Sequence, residues 1–276
     1  MSARRGFSLA EMVVALLLAG IIGVALARLV ISQARFVASQ DGMLQARSAA
    51  RAAVNVMSGE LRPVTQGGIF AATADSITIR VPYAFGVACQ QSGGGRVISL
   101  LPGDSALYGA ATATGYAWRD SIWHTVSPVT VGSGSCAAPG KPITTLSAPG
   151  WTATSVLVSP DGISANGDGD IVYLYQRIVY AFAPSATLPG RKALWRRVVS
   201  TGVSDELAAP FDTGSGFKFL VGSRLSVRTT PPAILDSIVG VRVRLVGQSE
   251  RAPEGKSAPS RFDLATNILF RNNARY

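Results

Sequence analysis

The stretch 4–31 constrains the fold of this chain more than any other part of it. From Phe7 to Ala27 there are 21 residues, and only Glu11 among them is charged. A helix rises about 1.5 Å per residue, so this run is ~30 Å long and can cross a bilayer. Arg4 and Arg5 precede the run, and basic residues on that side keep an N-terminus cytoplasmic. The sequence therefore predicts one membrane-spanning helix, with the remainder of the chain on the far side.

Glu11 needs a physical reason, because a carboxylate inside a membrane helix costs roughly 2.5–3.5 kcal/mol on insertion scales. A short basic leader ends at Gly6, Phe7 follows, and Glu11 comes four residues later in an otherwise apolar run. This pattern resembles the signal sequence of the type IV pilin and pseudopilin family. The resemblance implies cleavage between Gly6 and Phe7 by a prepilin peptidase, N-methylation of Phe7, and pairing of Glu11 with the terminal amine of a neighbouring subunit.

Two other interpretations of the N-terminus stay open. In a plain signal anchor, Glu11 would be incidental. A secretory signal peptide fits less well, because the apolar run is longer than the core of about 7–15 residues that such peptides have.

The helix is expected to continue beyond the membrane, from Ser8 to Leu61. Arg28 marks the outer interface, and no proline occurs before Pro63. Apolar residues then recur at steps of three and four, as in an amphipathic helix, at Leu44, Ala50, Val54, Met57 and Leu61. The opposite face is polar, with Gln40, Gln45, Arg47 and Arg51. Gly42 is a candidate bend, since glycine weakens a helix interior.

The rest of the chain has the pattern of an antiparallel sheet. Ile77, Ile79 and Val81 alternate with polar residues in a predicted strand, 76–81, that Pro82 would end. Further strands are predicted at 156–158, 171–175, 177–182, 193–199, 217–221, 238–246 and 262–271, and 205–209 is expected to start a short helix or turn. Segment 87–150 is interpreted as an insertion of short strands and loops, in which Trp118, Trp123 and nearby Trp151 need burial.

These patterns predict an α+β fold with a long N-terminal transmembrane and amphipathic α-helix packed on an antiparallel β-sheet that carries a β-rich insertion. The resemblance to the pilin family implies that this fold is pilin-like. The expected organisation is a leader at 1–6, a transmembrane segment at 7–31, an amphipathic helix at 32–62, and a periplasmic head at 63–276 with the insertion at about 87–150. Segments 76–81 and 170–272 also resemble the large minor pseudopilins of the J type in type II secretion, and the related minor pilins of type IV pili. That resemblance implies a position at or near the tip.

The two cysteines, Cys89 and Cys136, both lie on the far side of the membrane in this topology. An even count in an oxidising compartment predicts one disulfide, which would constrain the unfolded chain by about 4 kcal/mol in the entropic model. Two free buried thiols are the alternative. Neither cysteine belongs to a CxxC pair, and His124 is the only histidine, so a zinc site has no ligands.

The motifs of common catalytic sites are missing from the sequence. There is no GxSxG, Walker loop or HExxH, and His124 is the one possible base for a cysteine nucleophile. The chain is therefore predicted not to be an enzyme and to need no cofactor.

Two polar segments are candidate binding sites. Asn166, Asp168 and Asp170 alternate like the start of a calcium loop, but the later ligands are missing, and a solvated hairpin turn is preferred. Residues 195–197, Trp-Arg-Arg, could contact nucleic acid. The preferred interpretation of 195–197 is a sheet strand with Trp195 and Arg197 on one face and Arg196 on the other. The net charge of +10 for the whole chain is attributed to solubility and local ion pairs.

The predicted function is that of a non-enzymatic minor pilin or pseudopilin, held in the inner membrane before assembly into a type II secretion pseudopilus or type IV pilus. The expected partners are other pilin subunits, the prepilin peptidase and an inner-membrane assembly platform, and nucleic acid is not expected. The alternative is a single-pass, membrane-anchored periplasmic binding protein that does not polymerise.

Overall fold

A computed structural model describes residues 9–65, 67–108, 115–118, 122–125, 130–132, 136, 145–150, 154–158, 161, 163, 167–253 and 256–270. The long helix predicted from the sequence is present as α1, Leu9–Leu61, with 53 residues. Ser8, the predicted first residue, lies outside the described residues. α1 ends two residues before Pro63, whose ring cannot continue the hydrogen-bond ladder of a helix. The predicted combination of long helix and β-rich head is confirmed.

The two halves of α1 have different surroundings. Residues 9–38 are exposed on every side, which at 1.5 Å per residue is a length of about 45 Å. The second half packs on the head through Gly42, Ala46, Ala50, Ala53, Met57 and Leu61, which are all buried. The predicted stripe is therefore right for its C-terminal half and wrong at Leu44, which is 59% exposed. Gly42 lies within the continuous helix and is one of its buried contact positions.

The head contains a sheet whose strands in the described part are β1 Ile69–Ala72, β2 Ser76–Ser92, β3 Gly95–Leu100, β4 Gly115–Trp118, β5 Ile122–Thr125, β6 Thr130–Gly132, β7 Ser155–Val158, β8 Ile171–Pro184, β9 Lys192–Val198, β10 Ser204–Phe211, β11 Gly216–Val221, β12 Ser226–Arg228, β13 Ile238–Gln248 and β14 Arg261–Leu269. A short helix α2, Pro102–Tyr108, and a 3-10 turn, Leu235–Ser237, complete the elements. The main order is β12-β11-β13-β10-β9-β8-β2-β3-β7-β6. β1 adds to β2, β14 adds to β13, and β4 joins β5 and β8. All these pairings are antiparallel.

The predicted end of the first strand at Pro82 is wrong, because β2 runs on for ten more residues. Pro82 pairs with Tyr175 and Ala84 pairs with Leu174, so one extra residue of β2 lies between two consecutive partners on β8. A bulge of this kind tolerates proline, which cannot donate to the ladder. The extra residue also exchanges the two faces of the strand, so Ile79 before the bulge and Ala84 after it point to the same side.

Two apolar cores lie along β2 and β8. The first joins α1 to the sheet and includes Met57, Ile77, Tyr180, Phe219 and Val241. The second is centred on Ala84, Ile98, Val156, Val172 and Leu174. β8 is one continuous strand where the sequence predicted two, and it contributes to both cores. The described strands of the predicted insertion, β3 to β6, extend the same sheet.

The short helix or turn predicted at 205–209 is wrong, because these residues belong to β10. Asp205, Glu206 and Ala208 pair with β9, and Phe211 reaches β13. The sequence Asp-Glu-Leu-Ala-Ala has good local helix propensity, which tertiary pairing on both sides of the strand overrides. Register shifts on either side of Ala208 take up the irregularity.

The sheet curls around the second half of α1. β11 returns to the β1–β2 turn, where the Phe217 N–H donates to the Ala74 carbonyl at 2.7 Å. Gly216 allows this approach, since a Cβ there would lie 2.8 Å from the same carbonyl oxygen. The core-facing side of the sheet therefore holds α1, and the side turned away from α1 is called the outer face below.

Candidate functional site: the exposed helix and its attachment to the head

The N-terminal half of α1 exposes an unusually large apolar surface. Leu16, Leu17, Ile21, Ile22 and Leu26 are each between 55% and 70% exposed. No charged residue occurs between Glu11 and Arg28. By length and composition α1 can cross a membrane, and none of its apolar window is buried against the head. A surface of this kind needs lipid or other helices around it, because soluble proteins rarely expose large contiguous apolar patches.

Glu11 lies in the first turn of this exposed half. Gly6 and Phe7, the predicted cleavage site, lie outside the described residues, and the amine predicted to pair with Glu11 belongs to a neighbouring subunit.

Residues 1–27 match the prokaryotic N-terminal methylation motif. This motif is the signature of type IV pilin-like proteins, which are cleaved and methylated structural subunits that assemble with other pilins. The match covers the leader and the first part of α1, including Gly6, Phe7 and Glu11, but none of the head. No curated protein and no solved structure matches the chain. The J-type resemblance of the head stays a prediction.

A charged cluster fixes the far end of α1 to the sheet. Arg196 of β9 donates from Nε and Nη2 to the Glu60 carboxylate, with the shortest contact, Nη2 to Oε1, at 2.7 Å. The Tyr180 hydroxyl of β8 donates to Oε2 of the same carboxylate at 2.6 Å. The side chains of Arg196 and Glu60 are 23% and 24% exposed. This geometry fixes the rotation of α1 about its own axis, because the two-pronged contact between the Arg196 guanidinium and the Glu60 carboxylate tolerates little change in angle.

The surroundings of Tyr180 raise its pKa well above its usual range, first because of burial and then because of the neighbouring Glu60 carboxylate. The hydroxyl therefore stays protonated and remains a donor throughout the physiological pH range. The pKa of Arg196 is also raised: burial opposes its charge, but the hydrogen bond and charge of Glu60 outweigh burial.

Small residues bring α1 and β13 into backbone contact at the other end of the packed half. A Cβ on Gly247 would lie 2.3 Å from the Ala46 carbonyl oxygen, and one on Gly42 would lie 3.0 Å from the Ser249 Cβ. Sequence reasoning overlooked this contact and the Glu60 cluster. The contact between α1 and β13 could have been predicted from the two small residues Gly42 and Ala46, which are four positions apart on the helix. No local pattern could connect Glu60 with Arg196.

Cys89 and Cys136 form a disulfide, in agreement with the prediction from their even count. Cys89 and Cys136 pack with Val97 and Leu157 in a small cluster separate from the two cores. The bond ties residue 136 to β2 across a separation of 47 residues. Since both sulfur atoms are in the bond, neither cysteine is a nucleophile in this state.

The calcium candidate has a different role in the structure. Asp168 pairs with the guanidinium of Arg96, and Asp161 pairs with Arg96 through Nη2 at 3.2 Å. The Arg96 side chain is only 2% exposed and also donates to the Ile163 carbonyl at 3.1 Å. The predicted solvated hairpin turn is therefore wrong, because Asp161 and Asp168 are almost buried and neutralise an arginine beneath them. Asn166 lies outside the described residues, and the described part of the chain contains no group of three candidate metal ligands.

The strand 195–197 has the predicted alternation. Arg196 points to α1 and Glu60, while Arg197 is exposed on the outer face. The Trp195 indole N–H donates to the Pro184 carbonyl at 3.1 Å. His124 lies in β5, opposite Tyr116 of β4.

Proposed function

We propose that this chain is a non-enzymatic minor subunit of a type II secretion pseudopilus or a type IV pilus. The leader is removed after Gly6, Phe7 becomes the methylated N-terminus, and the helix then leaves the inner membrane to pack among the helices of other subunits. The observation that carries the proposal is the fully exposed apolar half of α1, which begins within the methylation motif and continues into the half of the helix that packs on the head.

The energetics fit extraction from a bilayer. Apolar side chains of a membrane helix gain little from the hydrophobic effect when they exchange lipid for other apolar helices, so the transfer costs little. Packing, together with a few polar contacts, then decides how neighbouring helices align. The Glu60 cluster and the Gly247 contact keep the head in a fixed position relative to this helix, so an axial offset between helices also sets the offset between heads.

In this proposal Glu11 makes the contact that sets the axial register between the helices of neighbouring subunits. Left alone in lipid, its ionised form is disfavoured by about 2.5–3.5 kcal/mol. A cationic N-terminal amine on a neighbouring subunit would turn this cost into a specific pair. Buried pairs add little net stability but can specify geometry, and a filament needs one repeated axial offset.

The deciding experiment compares Glu11→Ala with the wild-type chain in cells that contain the sister subunits. The variant should insert and be cleaved normally, yet lose co-purification with the other pilins and fail in secretion or piliation. Glu11→Asp is the matched control, since it keeps the charge and should retain part of the function.

Wild-type behaviour of Glu11→Ala would mean that the soluble heads set the register, and would refute this mechanism. A chain with an uncleaved leader that never co-purifies with pilins would instead support the monomeric, membrane-anchored binding protein.

The position in the filament is proposed to be near the tip, below the outermost subunit. The resemblance of the head to large J-type minor pseudopilins supports a tip complex. Glu11 argues against the outermost place, because a subunit with nothing above it has no need of this carboxylate.

A further inference from the structure

Three arginines and one exposed aromatic ring lie close together on the outer face of the sheet and are here called the outer arginine patch: Phe70, Arg80, Arg177 and Arg197. Arg80 of β2 and Arg177 of β8 are direct cross-strand partners. Arg197 of β9 is paired with Val179 of β8, two residues from Arg177. Adjacent strands are ~4.8 Å apart and diagonal neighbours are about 7–8 Å apart, so the three positions are close together.

The guanidinium groups of Arg80 and Arg177 both lie against Phe70. Their Cζ atoms are 5.3 Å and 4.7 Å from the ring centroid, and the ring is 46% exposed. Arg80 also donates to the Gly67 carbonyl and approaches the Tyr175 ring at 5.8 Å. Like charges directly opposite each other destabilise a sheet, and the aromatic ring offsets only part of this repulsion. An anion beside Arg177 would reduce the repulsion between the two guanidiniums.

The capacity to bind an anion is visible at Arg177 and Arg197. Neither residue takes part in an ion pair among the described residues. The Nε of Arg177 is buried and has no hydrogen-bond partner there. A buried donor without an acceptor is unfavourable, and a carboxylate is a good acceptor for a guanidinium fork. Arg197 is exposed and adds a third positive charge at the edge of the same surface.

We propose that the outer arginine patch binds an acidic segment of a different subunit in the same filament. This inference rests on the proposed function. The patch is compact, and both guanidiniums cover the ring of Phe70, whereas strand binding by nucleic acid needs a long basic groove and free aromatic faces. A carboxylate-bearing protein segment therefore fits the patch better than a polynucleotide.

A second copy of this chain is a poor partner, because it has only 16 acidic residues against 26 basic ones. Many of its carboxylates are already paired with a cation of the same head: Glu60, Asp75, Asp161, Asp168, Asp212 and Asp263. The complementary surface therefore belongs to a more acidic neighbour.

The test places a photoreactive phenylalanine analogue at Phe70 in the full chain, in cells that contain the sister subunits, and identifies cross-linked peptides by mass spectrometry. The expected product is an acidic peptide of another pilin-like subunit. Arg177→Glu should lower its yield about tenfold or more, since a reversed charge repels a carboxylate. Arg228→Glu, an exposed charge reversal on β12, is the control and should leave the yield unchanged.

Two further arms keep the outcomes distinct. Formation of the Cys89–Cys136 disulfide is the check that a variant has folded. If Arg177→Glu does not form this disulfide, Arg197→Glu, at an exposed site, is used in its place. The same analogue at Phe36, on the exposed half of α1, reports filament assembly without involving the patch.

Cross-links to pilins from position 36 but none from position 70 would overturn this inference and leave the proposed function standing. Loss of both would count against the proposed function as well. A cross-link from position 70 to nucleic acid, lipid or a non-acidic segment, or one that is insensitive to Arg177→Glu, would also overturn it.

Discussion

The attachment of α1 to the sheet should depend strongly on the Glu60 carboxylate. Glu60→Ala removes three charge-assisted contacts from Arg196 and leaves the Tyr180 hydroxyl without its acceptor. Breaking a fully buried pair costs about 3–5 kcal/mol. Here both side chains keep about a quarter of their exposure to solvent, so the free energy of unfolding should fall by about 2–3 kcal/mol.

The assay is thermal unfolding of the full chain in detergent, with tryptophan fluorescence as the probe of unfolding. For a chain of this size, 1 kcal/mol is worth about 2–4 °C, so the expected fall in Tm is about 4–12 °C. The control is Asp263→Ala, which breaks the Arg244–Asp263 pair, whose side chains are 48% and 50% exposed. That variant should lose clearly less stability than Glu60→Ala, because exposed pairs contribute little.

A double-mutant cycle tests the coupling directly. Glu60→Ala and Tyr180→Phe remove two groups that share one hydrogen bond, so their effects should not add. Equal losses in Glu60→Ala and Asp263→Ala, together with full additivity in the cycle, would refute the view that this cluster orients the helix.

The same cluster predicts a dependence on alkaline pH. The pKa of Tyr180 is higher in the folded chain than in the unfolded chain, so its contribution to stability is complete below about pH 10, the ordinary tyrosine value. The contribution should then fall as the pH rises above that value. Tyr180→Phe should flatten this part of the stability profile.

The remaining predictions concern processing, the disulfide and backbone contacts. N-terminal mass spectrometry should find a methylated chain beginning after Gly6, and Gly6→Val should keep the leader; a mature cut beyond residue 27 would contradict the motif assignment. Alkylation without reductant should label neither Cys89 nor Cys136, and full labelling of both would refute the disulfide. Gly247→Ala should lower the free energy of unfolding by about 1–3 kcal/mol or more, because the new alanine Cβ would lie 2.3 Å from the Ala46 carbonyl oxygen. Gly59→Ala, in an exposed part of α1 with nothing within 4 Å, should instead raise stability by about 0.5–1 kcal/mol, and a loss there would contradict the helix assignment.

The sequence determined the features that depend on local order along the chain. An apolar run preceded by arginines, followed by a proline-free segment, is sufficient to predict α1 to its last residue, because helix formation depends on neighbours three and four positions apart. Strict alternation predicted the start of β2. The even cysteine count predicted the disulfide, and Gly6, Phe7 and Glu11 predicted the methylation motif that the first 27 residues match.

Only the tertiary structure decided the features that depend on partners distant in sequence. Glu60 and Arg196 are 136 residues apart, and Arg96 and Asp168 are 72 apart, so no local pattern could connect them. β10 is a strand despite its helix propensity, because β9 and β13 bind it on both sides. Pro82 lies within a strand because a bulge removes the need for its missing N–H. The outer arginine patch likewise exists only once β1, β2, β8 and β9 are adjacent. Local propensities are worth less than about 1 kcal/mol per residue, and long-range pairing and burial outweigh them where the two disagree.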